Sequence, residues 1–592
     1  MNGVSGAEEV LWDLSDLYSG GDDPQIEKDL SESQQRAQSF ASSYRGRIGE
    51  MDAAALARLL GEYEEILELS GKAGTFTYLN WSTNTEDPAR GALLQRLQEH
   101  SSQLQQQLLF FELEWAHVED KRAQELMADE ALAHYSFWLT LARRYRPHLR
   151  SEAEEKILAE KSVTGRSAWI RFFDEVHGGA RYTLDNQQLP QQSVLTKLYD
   201  PDRVQRKRAA EAFTTGLQNM RRVNTYVFNN LLADKASDDR LRSYPSWISS
   251  RNLANQIDDA TVEALVKAVT DRYGIVARYY TLKKKLLGLD ELLDYDRYAP
   301  LPSANRRYPW QEAMQTVLDS YAGFHQEMGR IAESFFSNNW IDAAVQPGKR
   351  GGAYSHGAVP SVHPYIFMNF EGTPRDVMTL AHEMGHGVHQ YLSRDQGILL
   401  SDTPLTTAET ASVFGEMLVF QKLIAEEKDP RIRLSMLVQK IEDTFATVFR
   451  QTAMNRFEEA IHTARRSDGE LTAERFSELW MKTQNKMFEE SVTLTDNYGI
   501  WWSYIPHFIH SPGYVYAYAF GELLVLALYS RYQDSPEGFP AAYRDLLAAG
   551  GSNWPEELVR PLGVDLKDPK FWDKGLSMIE GFVEQAEAMA EV

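Results

Sequence analysis

Thr373-Pro374-Arg375-Asp376-Val377-Met378-Thr379-Leu380-Ala381-His382-Glu383-Met384-Gly385-His386-Gly387-Val388-His389 sets the character of the chain. A threonine able to cap, a proline at the first helical position and an acid at the third predict a helix from Pro374. Val377, Leu380, Met384 and Val388 make its core face. His382 and His386, four residues apart, project to one side about a turn from each other and can share a cation. Glu383, one step on from His382, falls beside a metal-bound water. Upstream, Gly351, Gly352, Gly357, Pro360 and Pro364 preclude a long helix between Trp340 and Gly372, while Tyr365-Ile366-Phe367-Met368-Asn369-Phe370 reads as a strand. A small sheet is therefore expected next to the histidine helix.

A catalytic zinc usually takes three protein ligands and leaves a fourth position for water. His389 is the nearest further histidine, but seven residues along a helix is a rise of ~10 Å, too far for all three rings to reach one ion at ~2.0 Å. It reads as a supporting or structural residue. Beyond the break at Gly397 to Pro404, Glu409, Ser412 and Glu416 share one helical face. Glu409 is a candidate third ligand, although Thr406 and Glu409 also match a helix-capping pattern. Glu416 is placed to orient a ligand histidine, since such rings usually donate their second N–H to a carboxylate or carbonyl.

Around this centre most of the 592 residues repeat at helical period, as at Leu93, Leu97, Leu104 and Leu108. The fold is expected to be mainly α, with no repeat of solenoid length. A composition break at Tyr182 to Pro190, followed by Asp200-Pro201-Asp202 opening a new helix, suggests an N-terminal helical domain over 1–190 and a second domain over 191–592. The formal charge of -23 would repel phosphate backbones and anionic lipid surfaces, so neither nucleic acid nor membrane is an expected partner. The longest markedly apolar run near the C-terminus, Leu523 to Tyr529, is far short of the ~20 residues that span a bilayer. With no cysteine, thiolate nucleophiles, disulfides and thiolate metal sites are excluded, and any metal must be held by His, Asp or Glu. The acidic start, with Glu8 and Glu9, lacks the basic and apolar segments of a secretory signal, and a cytoplasmic location is expected.

His382-Glu383-Met384-Gly385-His386, His389 and the Glu409, Ser412, Glu416 set together resemble the M3 family of zinc peptidases, within it the oligoendopeptidase F group. Trp12-Asp13-Leu14-Ser15-Asp16-Leu17-Tyr18 is similar to that group's opening, and Lys349-Arg350-Gly351-Gly352-Ala353-Tyr354 with Asn369-Phe370 to its stretch before the histidine helix. The resemblance covers nearly the whole chain. It implies one zinc held by His382, His386 and Glu409, Glu383 as general base, and a helical zincin-type ellipsoid with a deep internal channel. It also implies an M3-type catalytic domain over 191–592 and hydrolysis of internal bonds in short unfolded peptides. The strand Tyr365 to Phe370 or the segment from Ala353 through Tyr354 to Ser355 can then pair with a substrate backbone.

The run from His507 to Tyr518 is rich in donors able to stabilise the negative oxygen formed when water attacks an amide, though aromatic turns of this kind also serve as packing. The family keeps a histidine and tyrosines here, which favours His507 and Tyr514. His510 and Gly513 stand where aromatic residues are expected, so Tyr514, Tyr516 and Tyr518 all stay open. Two rival functions are a dipeptidyl carboxypeptidase of related architecture and a catalytically silent peptide-binding protein; intact Glu383 weighs against the second.

Overall fold

The computed structural model describes residues 5–301 and 306–591. The first four residues of the start described above lie outside that set. Helix accounts for 71% and strand for 3%, which makes this a helical protein, with two very small sheets among the described residues. Its contacts divide it into two compact units that interleave along the sequence. One comprises Met1–Arg146, Asn305–Leu423 and Arg531–Val564; the other comprises Pro147–Ala304, Ile424–Ser530 and Asp565–Val592.

In the first unit, helices Pro24–Tyr44, Ala53–Thr83 and Pro88–His117 pack side by side, each capped by an aspartate at its start. The leucine stripe predicted from spacing is the buried face of the third helix: Leu93, Leu97, Leu104 and Leu108 are all in the core. The expected sheet is present in this unit. Strand Tyr365–Phe367 is central, parallel to Ile341–Asp342 and antiparallel to Tyr354–His356, with Ser355 opposite Ile366. It is shorter than the run Tyr365 to Phe370 suggested. Backbone bonds from Met368 and Phe370 to Asp342 and Ala343 nonetheless continue its path. Lys349, its side chain wholly buried, donates to Asp342 Oδ1 at 2.5 Å and to the carbonyls of Ala344 and Met368 at 2.7 Å, tying three segments around one charge. Asn369 Nδ2 holds the turn before the edge strand through the carbonyls of Arg350 and Gly352. Trp12 packs on Phe367, so the opening motif closes over the sheet.

The second unit is organised on the 39-residue helix Arg203–Leu241, with Phe449–Asp468 and Ala473–Phe488 against it. Asp202 caps the long helix through Val204 N, as the Asp-Pro-Asp sequence predicted. The composition break before it holds a two-stranded hairpin, Tyr182–Leu184 with Gln187–Leu189. Its turn residues Asp185 and Asn186 both have positive φ, the geometry a tight hairpin needs and that these two residue types tolerate. Among the described residues no helix is long and apolar enough to cross a membrane.

Candidate metal centre

Helix Pro374–Ser393 begins as the sequence predicts. Thr373 Oγ1 accepts from Asp376 N at 3.2 Å and Asp376 Oδ2 accepts from Thr373 N at 2.9 Å, a closed capping box with Pro374 at the first position. Its apolar stripe Val377, Leu380, Met384 and Val388 is completely buried. Helix Thr410–Glu426 crosses it at very close range. A Cβ on Gly385 would lie 2.4 Å from the Ala411 carbonyl oxygen, and one on Gly415 would lie 2.9 Å from the Ala381 carbonyl oxygen and closer still to the Tyr321 hydroxyl. Two glycines, one on each helix, therefore set the separation at which carboxylates of the second helix reach imidazoles of the first. Tyr321, fully buried, fixes the same crossing by donating to Ala381 O at 2.9 Å.

The consequence is a convergence of three donors. Single ligand atoms of His382, His386 and Glu409 all lie within 4.8 Å of one another. Glu409 Oε2 is 3.3 Å from His382 Nε2 and 3.4 Å from His386 Nε2. The competing capping role for Glu409 does not materialise, because Thr406 lies inside the short helix Leu405–Ala408 rather than at its cap. Glu409 instead occupies the junction with the next helix, where Ser412 Oγ donates to its Oε2 at 2.6 Å. Glu416 Oε1 stands 2.5 Å from His382 Nδ1. An ionised carboxylate can only accept, so Nδ1 carries a proton, and in the neutral ring Nε2 would present its lone pair to the centre. Two imidazole nitrogens and one carboxylate oxygen are a donor set suited to a divalent cation, zinc before the harder ions.

The same groups shift one another's proton affinity. Burial raises the Glu409 carboxyl, but the His386 and His382 contacts outweigh it and hold the group down at about 2. Burial disfavours charge on His382 too, yet the hydrogen bond and charge of Glu416 take it up to about 9. Glu383 is 6% exposed, and burial raises its carboxyl above the ordinary range. Its Oε2 has no hydrogen-bond partner, which leaves it free to accept a proton from a guest.

Glu383 and both histidines line a pocket of about 450 Å³ whose other walls include Ala353, Tyr354, Gln390 and His389. His389 is buried, held neutral by that burial with its pKa lowered to about 4, and its Nε2 lacks a partner. It is not one of the three converging donors. His356 and His363 are elsewhere engaged: His356 Nδ1 accepts from Ala358 N, and His363 stacks on Trp340 and meets Asp16. Gln390 is a residue that sequence reasoning missed. Its Oε1 accepts from Ser355 Oγ at 2.7 Å, pinning the edge strand to the histidine helix. The available signal was its position one helical turn beyond His386.

The donor-rich turn lies in the second unit. His507 Nε2 is 3.3 Å from Tyr518 Oη, and the Tyr514 ring meets Tyr518 edge-on at 5.0 Å and parallels His507 at 6.4 Å. Tyr516 is separate from this group: fully buried, its hydroxyl accepts from Asn255 Nδ2 at 2.9 Å. The turn is held from outside by Arg166 on His510 O, Asp174 on His510 Nε2 and Glu458 Oε1 on Gly513 N.

Comparison with known proteins follows the same lines. The family described as Peptidase family M3 matches residues 196–578, and the one described as Oligopeptidase F matches residues 114–182. Oligopeptidase PepF of Bacillus subtilis is 30% identical over 93% of this chain and 83% of its own length. An oligoendopeptidase F homolog of Lactococcus lactis is 25% identical over 99% of this chain and 98% of its own. In fold, a crystal structure from Chlamydophila abortus superposes with a TM-score of 0.87 at 24% identity, covering 99% of both chains. Oligoendopeptidase-F of Enterococcus faecium superposes with a TM-score of 0.72 at 22% identity, covering 95% of this chain and 98% of its own. Most of its length, including both histidines, Glu383 and Glu409, falls within the matched region, and the chain belongs to peptidase family M3.

Proposed function

We propose that the chain is a zinc-dependent oligoendopeptidase that cuts internal bonds of short, unfolded peptides in the cytoplasm. The observation that carries this reading is the convergence of His382, His386 and Glu409 beside a buried, unpartnered Glu383 oxygen. In this reading His382, His386 and Glu409 hold the metal, and Glu416 keeps His382 in the ligating tautomer. Zinc, when bound, lowers the pKa of a water towards ~7 and polarises the scissile carbonyl. Glu383 takes the proton from the attacking water and returns it to the leaving amine. Its raised proton affinity suits both halves of that transfer. His507 and a tyrosine of the Tyr514, Tyr518 pair donate to the developing oxyanion. The edge strand Tyr354–His356, with one side free of strand partners among the described residues, offers backbone groups to an extended peptide. Such pairing is indifferent to side chains, so broad sequence preference is expected.

The division into an N-terminal helical domain over 1–190 and a catalytic domain over 191–592 belongs to this reading; the two family matches meet between residues 182 and 196. Glu383→Gln tests the chemistry. It should keep stoichiometric zinc by atomic absorption while cleavage of a quenched peptide disappears, and retained cleavage would remove Glu383 from its role. Mass spectrometry of the wild-type products separates internal cuts from removal of C-terminal dipeptides.

A further inference from the structure

The pocket that holds the metal centre extends well beyond it. Its lining continues along helix Pro374–Ser393 from His386 through Gln390 to Ser393, then crosses to Asp402 and Thr403 on the loop that follows. Ser393 lies seven residues past His386, on the same helical face and ~10 Å along the axis. An extended peptide advances ~3.3 Å per residue, so a chain held at the centre reaches this far end within about three residues of the bond to be cut.

The far end is firmly built. Ser401 N donates to Gly397 O at 2.9 Å, and Gly551 N donates to Leu400 O at 2.8 Å. A Cβ on Gly550 would lie 2.9 Å from the carbonyl oxygens of Leu400 and Ser401 and 3.0 Å from Ser393 Cβ, and one on Gly551 would collide with the Asp402 carbonyl oxygen. The backbone of Asp402 is therefore fixed beside the end of the histidine helix, while the residue itself stays accessible in the pocket wall.

The charges of the pocket do not cancel there. No lysine or arginine lines it. Glu383 and Glu409 would balance a divalent cation at the centre, and His389 is held neutral by burial. Among the described residues the Asp402 side chain has no hydrogen-bond or ion-pair partner. The protein around it withdraws water and so raises its carboxyl above the ordinary range, and no neighbouring cation opposes that rise. A carboxylate in this position gains from any cation brought to it, because the interaction is stronger where water is partly excluded.

We propose that Asp402 makes this end of the pocket a subsite for a cationic group of the peptide, an ammonium or guanidinium carried within about three residues of the scissile bond. The inference rests on the peptidase reading and adds a charge preference that backbone pairing cannot supply. An ammonium brings three donors; the carboxylate takes one, and the hydroxyl oxygens of Ser393 and Thr403 stand in the same wall as further acceptors. A lysine or arginine side chain and a free N-terminal amine present the same chemistry. An acidic side chain at that position would face an unbalanced carboxylate and be disfavoured.

The test uses the zinc-loaded full chain and matched peptides whose cleavage is followed by chromatography. A lysine at each of the three positions on either side of the cut is compared with norleucine, and a free N-terminus with an acetylated one. At the position that reaches Asp402 the cationic peptide should be favoured ~10-fold in kcat/KM, mainly through KM. Asp402→Asn, which keeps the shape and loses the charge, should bring that ratio close to one, and Asp402→Lys should turn the preference towards a glutamate peptide. Each ratio compares two peptides on one enzyme, so a general loss of folded or metal-loaded protein leaves it unmoved. A preference for lysine over norleucine assigns a side chain, a preference for the free over the acetylated terminus assigns the amine, and either supports the subsite. Equal rates at every position and with both termini, or a preference unchanged in Asp402→Asn, would overturn the proposal. If the wild type cut none of the peptides, the peptidase reading would fail instead. The subsite would then be decided by calorimetry on the Glu383→Gln chain, where tighter binding of the cationic peptides supports it and equal binding overturns it.

Discussion

In the candidate metal centre the polar atoms belong to two helices that touch, and the distance between those helices is fixed by Gly385 and Gly415. In the turn from His507 to Tyr518 they belong to a short irregular segment that other elements restrain: Arg166, Asp174 and Glu458 each bond to it, and none lies within forty residues of it in sequence. The first arrangement ties side-chain placement to spacing along a helix, so residue numbers predict which atoms share a face of each helix. The second ties it to distant partners, so residue numbers predict only which side chains are available. The comparison explains why His382 and His386 follow directly from spacing while Tyr514, Tyr516 and Tyr518 all stay open.

The largest effect should come from breaking the helix pair's donor set. His386→Ala leaves two of the three donors that converge among the described residues, so bound zinc should fall far below one per chain by atomic absorption and cleavage should vanish. Retained stoichiometric metal would mean that His389 substitutes, and that helical spacing is a poorer guide here than the geometry indicates.

The next tests the turn. Tyr514→Phe and Tyr518→Phe are expected to differ: the one that donates to the oxyanion should lose ~10²- to 10³-fold in kcat with zinc still bound, and the other much less. Tyr516→Phe, which loses only its bond from Asn255, should leave kcat nearly unchanged. Equal small losses at Tyr514 and Tyr518 would make the turn a packing element and erase its chemical side of the comparison.

A smaller effect is expected one layer out from the ligands. Glu416→Gln keeps the side-chain shape but weakens the acceptor that orients His382, and metal affinity should drop by ~10- to 100-fold in a chelator competition. An unchanged affinity would show that the helix crossing alone aligns the ring.

Much of this was legible in the sequence for a physical reason. Thr373, Pro374 and Asp376 act on their own backbone, and the stripe Val377, Leu380, Met384, Val388 needs only helical period, so local chemistry determines both. Glu409 was ambiguous because one spacing served capping and ligation alike, and the start of helix Leu405–Ala408 at Pro404 removes the capping role. Gly385 and Gly415 carried no signal by themselves, since a close approach depends on both helices together. The interleaving of the two compact units was hidden for the same reason: Arg531–Val564 joins the first unit through contacts such as Tyr543 Oη to Thr410 O at 2.7 Å, more than a hundred residues apart.

The least conspicuous test returns to what restrains the turn. Burial pushes the Glu458 carboxyl up to about 8, against the opposing pull of the Gly513 N–H and the Arg251 charge. Between the ordinary value of 4.5 and about 8 the folded chain keeps a proton that the unfolded chain has lost. The contribution is complete below 4.5 and disappears as pH rises through 8, at about 1.4 kcal/mol per pH unit within the window. Glu458→Gln retains an oxygen for Gly513 N–H and has no proton to lose, so the variant's Tm should gain on the wild type steadily from pH 5 to 8. Parallel curves would mean that Glu458 is ionised in the folded chain and paired with Arg251. The turn would then be fastened by a charge rather than by a neutral carboxyl, and its restraint would be as sensitive to salt as the helix crossing is indifferent to it.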